Sequence, residues 1–193
     1  MKNKKVFLLS ALAALAFTTY SCKGDKVAEA KDGEAPTTEA AAPEEKALVF
    51  AEFTDLDLSS AGFPMTIKAP KDAKVTKGEI EGEIYVYGGK RFKLSIKEMS
   101  GSAETAVGAM KELQADAEMN PSFDKLVEDQ PTYYLKANKD GALSFVYALN
   151  INEEYCMMVT EGVPFDQSPD QFTDYSADDV KLMLEAAKTL KSK

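Results

Sequence analysis

Short segments of alternating apolar and polar residues fill most of the chain beyond residue 46. In residues 90–97, Phe92, Leu94 and Ile96 share one side of an extended chain and polar residues occupy the other. Such alternation is typical of a strand that covers a core with one face. The same pattern predicts strands over residues 63–69, 79–87, 123–128, 132–137, 143–151 and 155–161, forming a hairpin and then a meander.

The register of the hairpin is predicted from the side chains that it would bury. A two-residue turn at Gly88-Gly89 would place Glu83 on the apolar face, which is costly. A three-residue loop instead pairs Ile84 with Phe92 inside and Glu83 with Lys93 outside. We therefore predict the three-residue loop, with the second glycine in a left-handed conformation.

A period of 3.6 residues replaces the alternation in two segments. Residues 102–119 are predicted to form a helix capped by Ser102, and a second helix begins at Ser176, where Ser176-Ala-Asp-Asp179 resembles a capping box. Strands in succession with interrupting helices are typical of the α+β class. We expect an antiparallel sheet, built from a hairpin and a meander, with two helices packed on it. The helical stripes are Ala103, Val107, Met110, Leu113 and Ala117, and then Val180, Met183, Leu184, Ala187 and Leu190.

The N-terminal residues have the pattern of a secretory signal. Lysines at positions 2, 4 and 5 precede an apolar run over residues 6–17, and a short polar stretch leads to Cys22. A spanning helix needs about 20 apolar residues, so this run is too short to remain as an anchor. Residues 1–21 are therefore predicted to be a signal peptide.

The residues around the expected cleavage point resemble the lipobox of a bacterial lipoprotein precursor, in the form Thr19-Tyr20-Ser21-Cys22. The resemblance implies that Cys22 becomes the first mature residue and carries acyl chains, which anchor the protein in a membrane. Lys23 implies sorting to the outer membrane and leaves its face open. The alternative is ordinary cleavage after a small residue, which leaves a soluble secreted protein with a free cysteine.

The residues after Cys22 differ in composition from the rest of the chain. Ala, Glu, Lys, Pro and Thr dominate residues 23–46, and Val27 is the only large apolar residue among them. Such a segment buries too little surface to offset its chain entropy. We expect a lipidated cysteine with a disordered tether over residues 22–46 and one globular domain over residues 47–193.

The domain resembles the PsbP-like α/β/α sandwich, the fold of a photosystem II extrinsic subunit and of several bacterial envelope lipoproteins. The resemblance covers about residues 60–191 and rests on the element order and on Phe63-Pro-Met-Thr-Ile-Lys-Ala-Pro70. It implies a sandwich architecture and carries over no functional residue, because the fold hosts unrelated roles.

Composition excludes several kinds of chemistry. The chain contains 23 lysines and arginines against 32 aspartates and glutamates, for a formal charge of −9. Phosphate binding needs a basic surface, so no nucleic-acid partner is expected. The chain has no histidine and two cysteines, which excludes histidine-dependent nucleophiles, histidine-ligated metals and zinc ribbons. It has no glycine-rich phosphate motif, and no cofactor is expected.

Two sets of residues are candidates for binding. Asp166, Asp170 and Asp174, together with Asp178 and Asp179, form an acidic cluster that either binds Ca²⁺ weakly or serves as turn formers and helix N-terminal charge. The outer face of the first hairpin either binds a partner or is an ordinary solvated face with ion pairs. Its candidate residues are Tyr85, Arg91, Lys93 and Lys97.

The remaining cysteine, Cys156, lies in the apolar strand 155–161. It is either a small buried hydrophobe or a redox or dimerising thiol.

These features favour a membrane-anchored envelope lipoprotein that acts as a non-catalytic binding module and holds a partner protein or peptide. The first alternative is a small-ligand or Ca²⁺ binder that uses the loop 166–179. The second is a hydrolase with paired carboxylates, which needs no histidine.

Overall fold

An antiparallel sheet of seven strands is the largest feature of the computed structural model, which describes residues 47–78, 80–162 and 175–193. Its strand order is β3-β4-β5-β9-β8-β7-β6, and a second sheet has the order β1-β2-β10. All neighbouring strands are antiparallel, which confirms the α+β class. The elements are β1 (Thr54–Asp57), β2 (Met65–Ala69), β3 (Lys74–Lys77), β4 (Glu83–Tyr87), β5 (Lys93–Ser100), α1 (Ala103–Ala115), β6 (Phe123–Gln130), β7 (Tyr133–Asn138), β8 (Leu143–Asn150), β9 (Tyr155–Glu161), α2 (Ala177–Ala187) and β10 (Lys191–Ser192).

The two helices cover opposite faces of the large sheet. On one face, Val107 of α1 is buried in a cluster with Val146 and Cys156. On the other face, α2 and the small sheet bury a larger core with Ile96 and Val159. In β8 and β9 both the odd and the even positions are apolar. Because they point to opposite faces of the sheet, each set packs into one of the two cores. This arrangement places the small sheet beside α2, in the same layer.

The predicted stripe of α1 is correct only in its first half. Val107 is buried, but Leu113 is exposed, and the helix ends at Ala115 rather than at residue 119. Asp116 explains the end, because its carboxylate accepts hydrogen bonds from the backbone N–H groups of Glu118 and Met119. Such local bonds compete with the helical hydrogen bonds. Ala117, predicted to be buried, therefore lies beyond the helix and is exposed.

The predicted register of the first hairpin is wrong, although the buried face is right. Glu83 lies opposite Lys97 rather than Lys93, and Ile84 lies opposite Ile96 rather than Phe92. The loop is longer because Phe92 leaves the ladder and packs edge-on against Phe53, with 5.4 Å between ring centroids. Gly89 has the predicted positive φ, +91°.

The first part of the predicted strand 79–87 is instead a turn. Ile80 accepts a backbone hydrogen bond from Glu83, and Gly82 has φ +80°. This turn joins β4 to β3, a strand that the alternation did not predict. As a consequence Ile80, expected to face the core, is exposed.

No helix within residues 47–78, 80–162 and 175–193 is long and apolar enough to cross a membrane.

Candidate functional site

A cleft of about 740 Å³ opens where the small sheet meets one end of the large sheet. One wall is the segment that leads into β2, and the other is the turn between β3 and β4. Met157, at the start of β9, is almost fully buried beside it. Pockets of this size with apolar walls are common binding sites. The cleft is lined mainly by Ala61, Phe63, Pro64, Met65, Lys77, Ile80, Glu81, Glu98, Ile151, Met157 and Lys193.

Large apolar side chains are exposed at this cleft. Ile80 is 54% exposed and Ile151 is 40% exposed, and both line it. Tyr155, 39% exposed, lies two residues before Met157 on the same face of β9. Ile80 belongs to the β3–β4 turn and Ile151 to the β8–β9 turn, so neither side chain is positioned to join the core. The local fold thus collects exposed apolar groups from separate segments in one place, which is typical of an interaction site.

Carboxylates surround these apolar side chains. Glu81 and Glu98 line the cleft, and Glu153 and Glu154 lie two and three residues after Ile151; all four are exposed. Glu83 also lines the cleft, but its Oε1 already accepts a hydrogen bond from the Ser95 hydroxyl at 2.9 Å. The surroundings of the cleft are therefore predominantly acidic.

The basic groups of the cleft are fewer. Lys193 is already committed, because its ammonium group donates to Asp57 and to the Ser59 hydroxyl. That hydrogen bond is the main reason that the pKa of Asp57 falls to about 2. Lys77 lies opposite Ile84 in the ladder and faces the same side of the sheet.

The paired carboxylates of a hydrolase would need a less solvent-exposed environment than that of Glu81 and Glu98. Both side chains are open to solvent, whereas a general acid is usually held in a dry pocket. Within the described ranges, no group of three His, Cys, Asp or Glu side chains is arranged to hold a metal ion. The carboxylate hydrolase stays a prediction from the sequence, and the geometry of the cleft suits binding better.

The expectation that Tyr85, Arg91, Lys93 and Lys97 share an exposed face is wrong for at least two of them. Tyr85 and Lys93 are each only 8% exposed. The Lys93 ammonium lies 4.8 Å from the centre of the Tyr85 ring. Its side chain is also covered by Gly162, whose backbone N–H donates to the Lys93 carbonyl at 2.8 Å. Lys97 is half-buried beside Glu83 on the neighbouring strand.

Arg91 belongs to a polar cluster around the buried Asp179, at the opposite end of the sheet from the cleft. Its Nη2 lies 2.8 Å and its Nε 3.0 Å from Oδ1 of Asp179, which is buried. The other carboxylate oxygen accepts from the Ser176 hydroxyl at 2.7 Å and from its backbone N–H at 3.1 Å. The predicted capping box is thereby confirmed. Asp179 thus serves as a structural group rather than as a free metal ligand.

Glu161, at the end of β9, completes this cluster and was missed by the sequence reasoning. Its Oε2 accepts a hydrogen bond of 2.9 Å from the backbone N–H of Phe145. Burial raises its pKa to about 7, against the opposing effects of backbone hydrogen bonds and of Lys136. The strand pattern contained the signal, because Glu161 shares the parity of Met157 and Val159, which face the core.

Tyr175 lies beside Glu161 at the start of the last described segment. Its hydroxyl donates to the Gly162 carbonyl at 3.0 Å, and burial is the main cause that raises its pKa to about 12. We define the charged end of the sheet as Arg91, Glu161, Tyr175, Ser176 and Asp179. Its polar groups are bound to one another or to backbone, which favours a structural role.

The other predicted site residues fall into two groups. Cys156 is fully buried, and burial raises the pKa of its thiol, so the structure favours its interpretation as a small hydrophobe. Cys22 and the aspartates at positions 166, 170 and 174 lie outside the described residues. Lipidation of Cys22 and Ca²⁺ binding by these aspartates stay predictions.

Comparisons with known proteins give only distant similarities. No protein-family model and no curated protein match the chain. It is similar to a mutant of the protein Mog1, with 9% identity over 72% of this chain and 95% of that chain, at a TM-score of 0.39. The Saccharomyces cerevisiae Ran-binding protein Mog1p gives 8% identity over 72% and 94%, also at 0.39. A Bacteroides thetaiotaomicron protein gives 14% identity over 67% of this chain and 45% of its own, at 0.34. None of these similarities assigns an activity or a partner to the chain.

Proposed function

We propose that this protein is a lipid-anchored envelope lipoprotein whose domain binds a partner without catalysing a reaction. In this proposal residues 1–21 are a signal peptide, residues 22–46 carry the acylated Cys22 and a tether, and residues 47–193 form the binding domain. The anchor holds the domain near the outer membrane, so that binding is confined to partners in the envelope.

The observation that carries the binding role is the apolar cleft. Ile80 and Ile151 are exposed there beside a buried floor at Met157. An exposed isoleucine adds little to fold stability and favours association, so a cluster of such side chains is a liability unless something covers it. Binding through this cleft accounts for the cluster, whereas a free-standing structural domain does not require it.

We also propose that the domain is a variant of the PsbP-like sandwich. The placement of α1 and α2 on opposite faces of an antiparallel sheet supports this assignment. The small sheet beside α2 forms one wall of the cleft. The fold itself assigns no role, so the binding proposal rests on the cleft.

The anchor is tested by mass spectrometry of the processed protein. We expect the mature chain to begin at Cys22 and to carry acyl chains on that residue. A Cys22→Ala variant should leave the membrane fraction, because the apolar run alone is too short to anchor it. A mature N-terminus with an unmodified Cys22 would refute the anchored form of the proposal.

The binding role is tested by site-specific photo-crosslinking in intact envelopes. A photoreactive residue at Ile80 or at Ile151 should give a discrete product of higher mass. The same residue at Leu113 is the matched control, because Leu113 is also exposed but lies on α1, on the other face of the large sheet. Absence of a product from both cleft positions, or an equal product from Leu113, would refute binding at the cleft.

A further inference from the structure

We infer that the cleft binds a polypeptide segment in which apolar side chains are flanked by lysines or arginines. This inference rests on the proposed binding function and deepens it by naming the chemistry of the partner. It follows from the shape of the exposed apolar surface, from the charges around it and from the net charge of the chain.

The apolar surface is elongated rather than compact. Ile80 precedes β4 and Ile151 follows β8, and the sheet order between these strands is β4-β5-β9-β8. Three strand spacings of about 4.8 Å separate the two side chains by roughly 14 Å. An extended chain covers about 3.3 Å per residue, so this surface matches four or five residues of a partner. A segment with more than one apolar side chain fits it better than a single small group does.

The charges around this surface are unbalanced. Glu81, Glu98, Glu153 and Glu154 are exposed within it or next to it. Lys77 is the basic side chain that remains available among the described lining residues, since Lys193 is bound to Asp57. Among the lining side chains, Glu81 and Glu98 outnumber Lys77, and Glu153 and Glu154 add negative charge beside the cleft. This excess attracts a cationic segment and disfavours an anionic one.

The net charge of the chain argues against other occupants. A formal charge of −9 makes a second copy of this chain a repulsive partner at the acidic cleft. The headgroups of anionic lipids and nucleic-acid phosphates are disfavoured for the same reason. A cationic amphipathic segment matches both the apolar walls and the acidic surroundings.

The test uses synthetic peptides of about nine residues and the full mature chain, residues 22–193, with Cys22→Ser so that no detergent is needed. Three peptides alternate Leu with Lys, Leu with Glu, and Leu with Ser. We expect the Leu–Lys peptide to bind about ten-fold tighter than the other two by calorimetry at low salt. Its affinity should fall when NaCl is raised from about 0.05 M to 0.5 M, because exposed charges are then screened.

Variants of the cleft decide whether this binding is specific. Glu98→Gln and Glu154→Gln together should weaken the Leu–Lys peptide several-fold, and so should Ile151→Ser. The matched controls are Glu112→Gln and Leu113→Ser, both at exposed positions of α1, and they should leave the affinity unchanged. Because all five residues are exposed, the variants should keep the unfolding midpoint of the parent chain.

Three outcomes would overturn the inference. Equal binding of the Leu–Ser peptide would indicate an apolar pocket without charge preference. Equal binding of the Leu–Glu peptide would contradict the charge argument directly. Equal sensitivity to the α1 controls would indicate non-specific attraction to an acidic protein. If crosslinking at Ile80 or Ile151 in envelopes still succeeds, the proposed binding function stands while this inference fails.

Discussion

The two ends of the large sheet differ in which kinds of side chain they bury and which they expose. At the charged end, the Asp179 carboxylate is buried and Glu161 is at least half-buried, and both have partners: Asp179 binds Arg91 and Ser176, and Glu161 accepts from a backbone N–H. At the cleft, apolar groups such as Ile80 and Ile151 are exposed. Buried polar groups with complete partners favour a structural role, whereas apolar side chains exposed together at a cleft contribute little to stability and favour association. The comparison therefore indicates a stabilising role for one end and supports the proposed binding role of the other.

Asp179→Ala should have the largest effect on stability and tests the charged end directly. The substitution removes the Asp179 side chain from the capping box of α2, while the Ser176 cap itself remains, and it leaves the Arg91 guanidinium without its partner. Breaking a buried ion pair costs about 3–5 kcal/mol, and partial exposure of Arg91 reduces this to about 2–3 kcal/mol. Urea unfolding measures the loss.

The matched control for this substitution is the neighbouring Asp178→Ala. The Asp178 side chain is 87% exposed and lies 3.9 Å from Lys181. We expect a change below about 0.5 kcal/mol there. A loss below about 1 kcal/mol for Asp179→Ala would contradict the structural assignment of the charged end.

Glu161→Gln should stabilise the protein at high pH and leave it unchanged at low pH. The pKa of Glu161 is about 7 in the folded chain, and its ordinary value is 4.5. Between these values the folded state binds more protons than the unfolded state, so stability falls as pH rises through this window. A shift of this size corresponds to at most about 3 kcal/mol. Because Gln does not ionise, the variant should gain roughly 1–2 kcal/mol at pH 8.

The measurement compares urea unfolding of both chains at about pH 4 and pH 8. Glu112→Gln on α1 is the control for the change of Glu to Gln, because that side chain is exposed and lies on the other helix. Lys136 opposes the ionisation cost by attracting the carboxylate. A destabilised Glu161→Gln at pH 8 would mean that this attraction exceeds the cost of burial, and that the charged form is the one the fold requires.

Removal of either helix cap should have a smaller effect. Comparing the two losses of stability shows which N-terminal cap contributes more. Ser176 accepts from the Asp179 backbone N–H at 3.2 Å and belongs to the charged end, whereas Ser102 accepts from the Thr105 N–H at 3.2 Å at the start of α1. Cap removal typically costs about 1 kcal/mol. Ser176→Ala should reach this value and Ser102→Ala about half of it, as measured by thermal unfolding. Equal losses would show that the bond to Asp179 adds nothing to the cap.

The elements with local signals were predictable from the sequence. The alternation over residues 143–151 and 155–161 gave β8 and β9 to within one residue, and the capping box located the start of α2. In each case the pattern depends on residues a few positions apart. The side chains of one segment therefore determine the element, and the rest of the fold changes only its ends.

The short strands β1, β3 and β10 were not predictable in this way. The sequences Thr-Asp-Leu-Asp and Lys-Val-Thr-Lys are mostly polar and exposed, and β10 has two residues. These strands exist because distant segments offer them a partner: β2 lies between β1 and β10, and β4 pairs with β3. Such pairing is decided by tertiary context, which local propensity does not contain.

The cleft could not be predicted from the sequence for a related reason. Its walls come from residues 61–65, the β3–β4 turn and the β8–β9 turn, which are far apart in the sequence. The alternation assigned Ile80 to the buried face of a strand, because the sequence pattern does not distinguish an exposed isoleucine in a turn from a buried one in a strand. Glu161 was not predicted to be buried, because a glutamate in a strand usually points to solvent.

Ile80→Ser and Ile151→Ser should have the smallest effect on stability and provide the sharpest test of the comparison. Both side chains are exposed, so each substitution removes little buried apolar surface and should change the free energy of unfolding by less than about 0.5 kcal/mol. Binding of the Leu–Lys peptide at the cleft should nevertheless weaken several-fold. A loss of stability above about 1 kcal/mol would place these isoleucines in the core and remove the reason for regarding the cleft as a site. Unchanged stability with weakened binding is the result expected of side chains that contact a partner, because nothing inside the fold then depends on them.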